Sequence, residues 1–447
     1  MSFPVFQPEA LAVIMLLLLT VAIMIGFPTA FTLMSLGIIF GFLGFGFLVF
    51  DLLVLRAFFV MRNDALIAVP VFLFMGYVIE RAGILDRLFG AIQMLMGPLP
   101  GSLAIATLIT GTLFATATGI VGASVTLLGL LALPAMLKRG YNVEFAAGAV
   151  TASGTLGILI PPSVLLILYG FVAGVSVPRL YAAAFIPGFT LAGLYFIFIL
   201  IRAWRNPSLG PPLPKEERNI PLPRMLRELA VGMFPIIALI LAVLGVIFLG
   251  VATPTEAASM GALAGLLLAA AHRRLNLKML QESVFLTIRA AAVVGWLILG
   301  SSLFAGVFAR LGGSQLIGDF VLGLGLNVFW FFWLVQLVIF VLGWPLEWTE
   351  ITIIFMPLFL PLLDAYKIDL VFFGVMAAVN QQTSFLSPPV AMSAFYLKNV
   401  APKHVTLNQI FRGMYPYLAL QITAMIILYI FPDLALALPR LLYGDNK

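Results

Sequence analysis

The chain has 447 residues, 63% of them hydrophobic and 9% charged, with a formal net charge of +6. Soluble domains do not carry that balance, so this is a polytopic membrane protein, and the basic surplus reads as loop charge that sets orientation, not as a nucleic-acid surface. With no Cys and only His272 and His404, disulfides, thiolate metal sites and cysteine nucleophiles are excluded, and no Ser/His/Asp set, HExxH or P-loop supports an enzyme.

Residues 11–25 read as a first span, ended by Gly26-Phe-Pro28, and residues 29–50 as a second. Residues 51–64 carry Arg56 and Arg62 among apolar positions and suit an interfacial helix; residues 65–79 are a third span. Residues 85–96 are short and amphipathic, as an in-plane arm would be. Residues 101–139 are too long for one span and are cut by Thr116-Ala-Thr-Gly-Ile-Val-Gly-Ala-Ser124, which predicts a re-entrant hairpin. Residues 145–173 are interrupted by Gly154-Thr-Leu-Gly-Ile-Leu-Ile-Pro-Pro-Ser163. Adjacent prolines remove two backbone donors and push the preceding residue out of the helical region, so this helix must break. In hydrocarbon a broken helix is tolerated only against protein or a wet cavity. Residues 186–201 are a further span, and residues 202–227 are a Pro-rich hydrophilic loop with six basic residues.

The second half repeats this order. Spans cover 231–249, 255–271 and 290–308, with an arm at 315–326. A second hairpin, residues 328–366, has its tip at Gly343-Trp-Pro-Leu-Glu-Trp-Thr-Glu350. A second broken helix, residues 371–397, contains Asn380-Gln-Gln-Thr-Ser-Phe-Leu-Ser-Pro-Pro389, and residues 415–431 are the last span. Gly26-Phe-Pro-Thr29 pairs with Ala252-Thr-Pro-Thr255 at an offset of 226, and Pro134 with Pro361 and Pro161 with Pro388 at 227. A constant offset across separate elements marks an internal duplication. With five crossings per half and the N-terminus outside, 17 of the 24 basic residues fall inside, as the positive-inside rule prefers. Five is odd, so the two halves insert upside down relative to each other. The fold class is therefore an all-α polytopic membrane protein of two inverted repeats, each with a re-entrant hairpin and a broken helix.

Paired interruptions in the two halves point to a transporter's binding site. Thr116, Thr118, Ser124, Thr151, Ser153 and Thr155 in the first half, and Thr349, Asn380, Gln381, Gln382, Thr383, Ser384 and Ser387 in the second, supply neutral oxygens. Such donors suit a hard, weakly held cation such as Na⁺, and half-helix N-termini turn partial positive charge toward an anion. Glu347 and Glu350 at the second tip read as an ion ligand, a proton site or a wet hairpin end. Glu144 and Glu256 begin helices and suit capping. With no nucleotide site, energy must come from an ion gradient.

Lys138-Arg-Gly-Tyr141 leading to Gly154-Thr-Leu-Gly-Ile-Leu-Ile-Pro-Pro-Ser163, then Leu168-Tyr-Gly170 and Gln382-Thr-Ser-Phe-Leu-Ser-Pro-Pro389, resemble the large membrane subunit of tripartite ATP-independent periplasmic (TRAP) transporters, the DctM family. The resemblance covers essentially the whole chain. It implies a bacterial inner-membrane importer of an organic anion, such as a 2-oxo acid or C4-dicarboxylate, coupled to Na⁺ and working as an elevator. Its implied partners are a small four-helix TRAP membrane subunit and a periplasmic substrate-binding protein. The scaffold would be residues 1–100, 176–327 and 399–447, and the moving transport domain residues 101–175 and 328–398. One Na⁺ would lie at Gly119, Gly122, Ser124, Gly157, Ile160 and Pro161, and a second at Thr349, Gln382, Thr383 and Ser387. The substrate would sit between them, near Thr118, Thr155, Asn380, Gln381, Ser384 and Glu350. The first tip departs from the family's Gly-Ser-Ser-Val-Ala pattern, because Ala123 replaces a hydroxyl residue. Leu346-Glu-Trp-Thr-Glu-Ile-Thr352 and Asn399-Val-Ala-Pro402 resemble the branch that takes 2-oxo acids and other carboxylates. The alternative is a stand-alone Na⁺- or H⁺-coupled anion symporter of the wider ion-transporter superfamily.

Overall fold

The computed structural model describes residues 7–214 and 221–444; Lys215, Arg218 and Lys447, counted above with the basic residues, lie outside that range. The described residues fold into helices with no strands. The first half runs α1 (Pro8–Ile25), α2 (Thr29–Phe45), α3 (Leu48–Met61), α4 (Asp64–Arg81) and α5 (Ile84–Met96). It continues with α6 (Ser102–Thr118), α7 (Val121–Lys138), α8 (Val143–Thr155), α9 (Val164–Ala173) and α10 (Val177–Arg205). The second half runs α11 (Leu222–Phe248), α12 (Pro254–Ala271), α13 (Leu277–Arg310), α14 (Gly313–Gly323) and α15 (Val328–Leu342). Then come α16 (Trp348–Ala365), α17 (Leu370–Leu386), α18 (Met392–Val400), α19 (Leu407–Ile430) and the amphipathic α20 (Asp433–Tyr443).

Among the described residues, eight helices are long and apolar enough to cross a membrane, or nine if α3 and α4, which meet at 56°, count as one span. Length and composition alone misassign the topology. They admit the hairpin arms α7 and α16 and miss the broken helices, whose halves are each too short. The repeat resolves this. Residues 48–81, shifted by 227, fall on 275–308, almost all of it within the unbroken α13 (Leu277–Arg310), so an angled pair of helices in one half is a single helix in the other. The N-caps of the broken helices repeat as well. Asn142 Oδ1 accepts from the Phe145 amide at 3.0 Å and Asp369 Oδ1 from the Phe372 amide at 2.8 Å, 227 residues on.

Inverted repeats exchange neighbours. In the scaffold, α4 packs along α12 and α2 along α13, so each half's third span lies on the other half's second. Close approach is set by glycine: a Cβ on Gly300 would come within 2.7 Å of the Ala30 carbonyl oxygen. Around the hairpins most of α6, α8 and α17 is buried.

One expectation needs correction. The last span of each half was placed with the scaffold, but α19 packs on α8 and α17, and α10 on α17, α6 and α9. Backbone contact explains it. A Cβ on Gly413 would lie 2.1 Å from the Glu144 carbonyl oxygen, and one on Gly148 would lie 2.2 Å from that of Gly413. By packing, α10 and α19 belong with the hairpins and broken helices.

Candidate functional site

Both interruptions form as the prolines require. In the first, α8 tightens into a 3-10 turn at Leu156–Ile158, and the chain bends through a cis Pro161–Pro162 bond to the extended Ser163, which caps α9. Ser163 Oγ donates back to the Ile158 carbonyl, and Tyr181 Oη donates to the Ser163 carbonyl at 3.3 Å. In the second, α17 stays helical to Leu386, Ser387 is extended, and Pro388–Pro389 is cis. Asn380 to Phe385 therefore present their side chains from a helix, and the break itself is confined to the residues after Leu386.

The first tip is also tighter than the sequence suggested. Only Gly119 and Ile120 are non-helical, with Gly119 at φ +65°, where an L side chain is strained. Thr116, expected at the tip, is inside α6 and donates to the Thr112 carbonyl at 2.6 Å. Ser124 Oγ donates to the Ile120 carbonyl at 2.9 Å and lies 3.4 Å from Thr118 Oγ1. Tip and broken helix touch through backbone: a Cβ on Gly119 would stand 3.7 Å from the Pro162 carbonyl oxygen, and one on Gly157 2.5 Å from that of Ala115. The structure thus brings Thr118, Gly119, Ser124, Gly157 and the Pro161–Pro162 turn into one cluster. Ser124, Thr155, Gly157, Ile160 and Pro161 are all buried.

The second tip docks on α17 in the same manner. Trp344 Nε1 donates to Ser387 Oγ at 3.1 Å, and Gly343 leaves no room for a Cβ over Ser384. Asn380 Nδ2 donates to the Gln336 carbonyl at 2.6 Å and to its Oε1 at 2.8 Å, and Thr383 Oγ1 donates to the Asn380 carbonyl at 2.5 Å. Gln381 meets Thr352 Oγ1 at 3.3 Å. Gln382 is fully buried, and neither its amide nitrogen nor its oxygen has a hydrogen-bond partner among the described residues. Such a side chain carries a desolvation cost until something meets it. A void of about 10 Å³, the room one water-sized particle needs, lies against Gly343, Gln381 and Ser384. Glu350 is committed elsewhere: its Oε2 accepts from the Glu347 amide at 3.0 Å and closes the start of α16.

The two tips meet at a cavity of about 300 Å³. Gly119 to Gly122 form one wall and Glu347 to Thr349 another, with Phe385 and Tyr396 beside them. The scaffold closes it with Leu73 and Tyr77 of α4 and with Arg289 and its neighbours on α13. Of the residues expected near substrate, Thr118, Thr155, Asn380, Gln381, Ser384 and Glu350 do not line this cavity. Of those expected at the ions, Gly119, Gly122 and Thr349 do. Arg289 and Tyr396 were missed as site residues. Arg289 sat among the loop charges, yet Tyr396 was findable, because it lies 227 residues after Tyr169, which donates to the Leu370 carbonyl at 2.7 Å. Arg289 and Glu347 are the basic and the acidic side chain lining the cavity, and they form no ion pair with each other among the described residues. Among the described residues no group of three or more His, Cys, Asp and Glu could hold a metal ion.

Residues 13–434 match the family model described as the DctM component of the tripartite ATP-independent periplasmic transporter. The chain is 28% identical over 408 residues to the C4-dicarboxylate TRAP transporter large permease protein DctM of Rhodobacter capsulatus, covering 88% of this chain and 90% of that one. It is 30% identical over 386 residues to the sialic acid TRAP transporter large permease protein SiaM of Vibrio cholerae, covering 86% and 88%. The fold matches the crystal structure of the YdaH transporter of Alcanivorax borkumensis, described as having an unusual topology. That match has a TM-score of 0.62 and 14% identity, over 97% of this chain and all of that one. With a family match spanning nearly its whole length, the chain belongs to the DctM component family of TRAP transporters, a family of permeases and not of enzymes.

Proposed function

We propose that the chain is the large permease subunit of a bacterial inner-membrane importer that moves an organic carboxylate by a Na⁺-coupled elevator motion. The observation that carries this reading is the cavity where two repeat-related tips meet opposite Arg289. Helix starts and a guanidinium favour an anion there. The buried clusters behind each tip offer neutral oxygens for a small cation. The relatives' names carry C4-dicarboxylate and sialic acid, both acids, which supports an acid as the substrate without choosing among acids. A small membrane subunit would cover apolar scaffold surface, and a periplasmic binding protein would deliver the substrate.

The test is uptake into proteoliposomes containing this chain and a small membrane subunit, with an inward Na⁺ gradient and a panel of carboxylates, with and without the periplasmic protein. Uptake that needs all components and the gradient is expected. Uptake by this chain alone would make it a self-sufficient symporter, and uptake indifferent to Na⁺ would remove the coupling ion.

A further inference from the structure

A second cavity, of about 460 Å³, lies between the scaffold and the elements packed with the hairpins. Arg56 and Phe59 of α3 line it, with the stretch of α13 from Ile298 to Arg310, Phe171 of α9, and Ile353 of α16. It is far from the tip cavity. Arg289 and Arg310 are both on α13, and 21 residues of helix span about 32 Å, close to the hydrocarbon thickness. One rod thus carries an arginine at each membrane face, each opening onto hairpin-side elements.

Two features separate this site from ordinary arginines at a helix end, which extend to the nearest water. First, no acidic residue lines the cavity, and neither Arg56 nor Arg310 forms an ion pair among the described residues. Glu9 lies against Gly312 without pairing with Arg310. Second, both guanidiniums are held without using their donors. The Arg310 group rests over the Phe45 ring at 5.7 Å, and no hydrogen bond uses its N–H groups among the described residues. The Arg56 group lies on the backbone of α13 where Gly306 leaves room, and a Cβ there would be 3.1 Å from its nitrogen.

Positioned guanidiniums with free N–H groups and no internal counter-charge recognise planar or tetrahedral oxyanions. We propose that this outer cavity binds an oxyanion through Arg56 and Arg310. A free organic carboxylate and a lipid headgroup phosphate share that chemistry. The site stands apart from the tip cavity, so it does not depend on how substrate is held there.

The test measures the thermal midpoint of the detergent-solubilised full chain against succinate and, separately, against phosphatidylglycerol. The parent is Arg289→Gln, which removes the tip cavity's cation from the comparison. The parent is expected to gain stability saturably with at least one probe. Adding Arg56→Gln and Arg310→Gln should raise the half-saturating concentration about tenfold or more, the scale of charge-assisted hydrogen bonds. Gly306→Val, which displaces Arg56 without removing charge, should act in the same direction. Arg56→Lys with Arg310→Lys keeps the charge but loses the planar fork and should retain part of the response, which separates binding from folding. A shift for phosphatidylglycerol alone assigns the lipid phosphate, a shift for succinate alone assigns a free carboxylate, and a shift for both shows that the site accepts either. A parent that responds to neither probe, or a response unchanged by the paired Gln substitutions, overturns the proposal.

Discussion

Arg289 is exposed on α13, faces both tips across the cavity and has no ion-pair partner among the described residues. Replacing it with Gln should lower carboxylate uptake in proteoliposomes about tenfold, with Lys retaining part of the activity, because a point charge replaces a planar fork. Equal uptake by wild type and Arg289→Gln would remove it from the anion path. Ser124 offers a cleaner test of the first cation cluster than its neighbour Gly157. Its hydroxyl is buried beside Thr118, and Ala keeps the helix intact. Ser124→Ala should raise the Na⁺ concentration for half-maximal uptake by about threefold or more, the loss expected of one weak oxygen ligand, with unchanged protein yield. An unaltered Na⁺ curve would detach Ser124 from the ion. Gly157→Val cannot serve, because its side chain would strike the Ala115 carbonyl and force the hairpin arm away from the broken helix. These two residues also mark what the sequence could tell. The place of Ser124 beside the first break was legible, because the Gly-rich run from Thr116 to Ser124 interrupts a stretch too long for one span. Arg289 was not, because a basic residue at a span's edge looks like orientation charge until a distant tip is folded against it.

At the scale of the element, the breaks were legible and their widths were not. Two prolines forbid a continuous helix wherever they fall, so both interruptions stand where the sequence placed them. The first tip's width depends on Gly119 reversing the chain in the left-handed region within two residues, which composition does not announce. Asn380 to Phe385 remain helical because tertiary contacts, including the Asn380–Gln336 hydrogen bonds, hold that turn. The packing of the final span α19 was likewise unreadable, because it rests on two glycines in different halves. Gly148 and Gly413 let α8 and α19 meet backbone to backbone. Gly413→Val should cost at least about 2 kcal/mol, the scale of overpacking, read as a lower denaturation midpoint of the solubilised chain. The same change at Gly193, which faces open space, should be nearly silent. Similar losses at both positions would mean that the α8–α19 contact is not what holds the last span.

At the scale of the whole molecule, α2, α4, α12 and α13 pack on one another across the repeat, while α6 to α10 and α15 to α19 pack around the tips; an elevator would move the second group against the first. Between them, few contacts are polar. One is the Ser301 hydroxyl of α13, which donates to the Ile353 carbonyl of α16 at 2.6 Å. That carbonyl is within a π-helical stretch, Ile351–Phe355, where the regular ladder is interrupted and an acceptor can turn outward. An elevator must break this hydrogen bond in each cycle, whereas a rigid permease with a moving gate need not. The chain contains no Cys, so Ser301→Cys with Ile353→Cys would form the sole oxidisable pair. Oxidation should lock the two bodies together and stop uptake, and a reductant should restore it, while each single variant transports in both conditions. Transport through the oxidised pair at the reduced rate would show that α16 does not move against α13, and the division into scaffold and moving body would have to be redrawn around the tips alone.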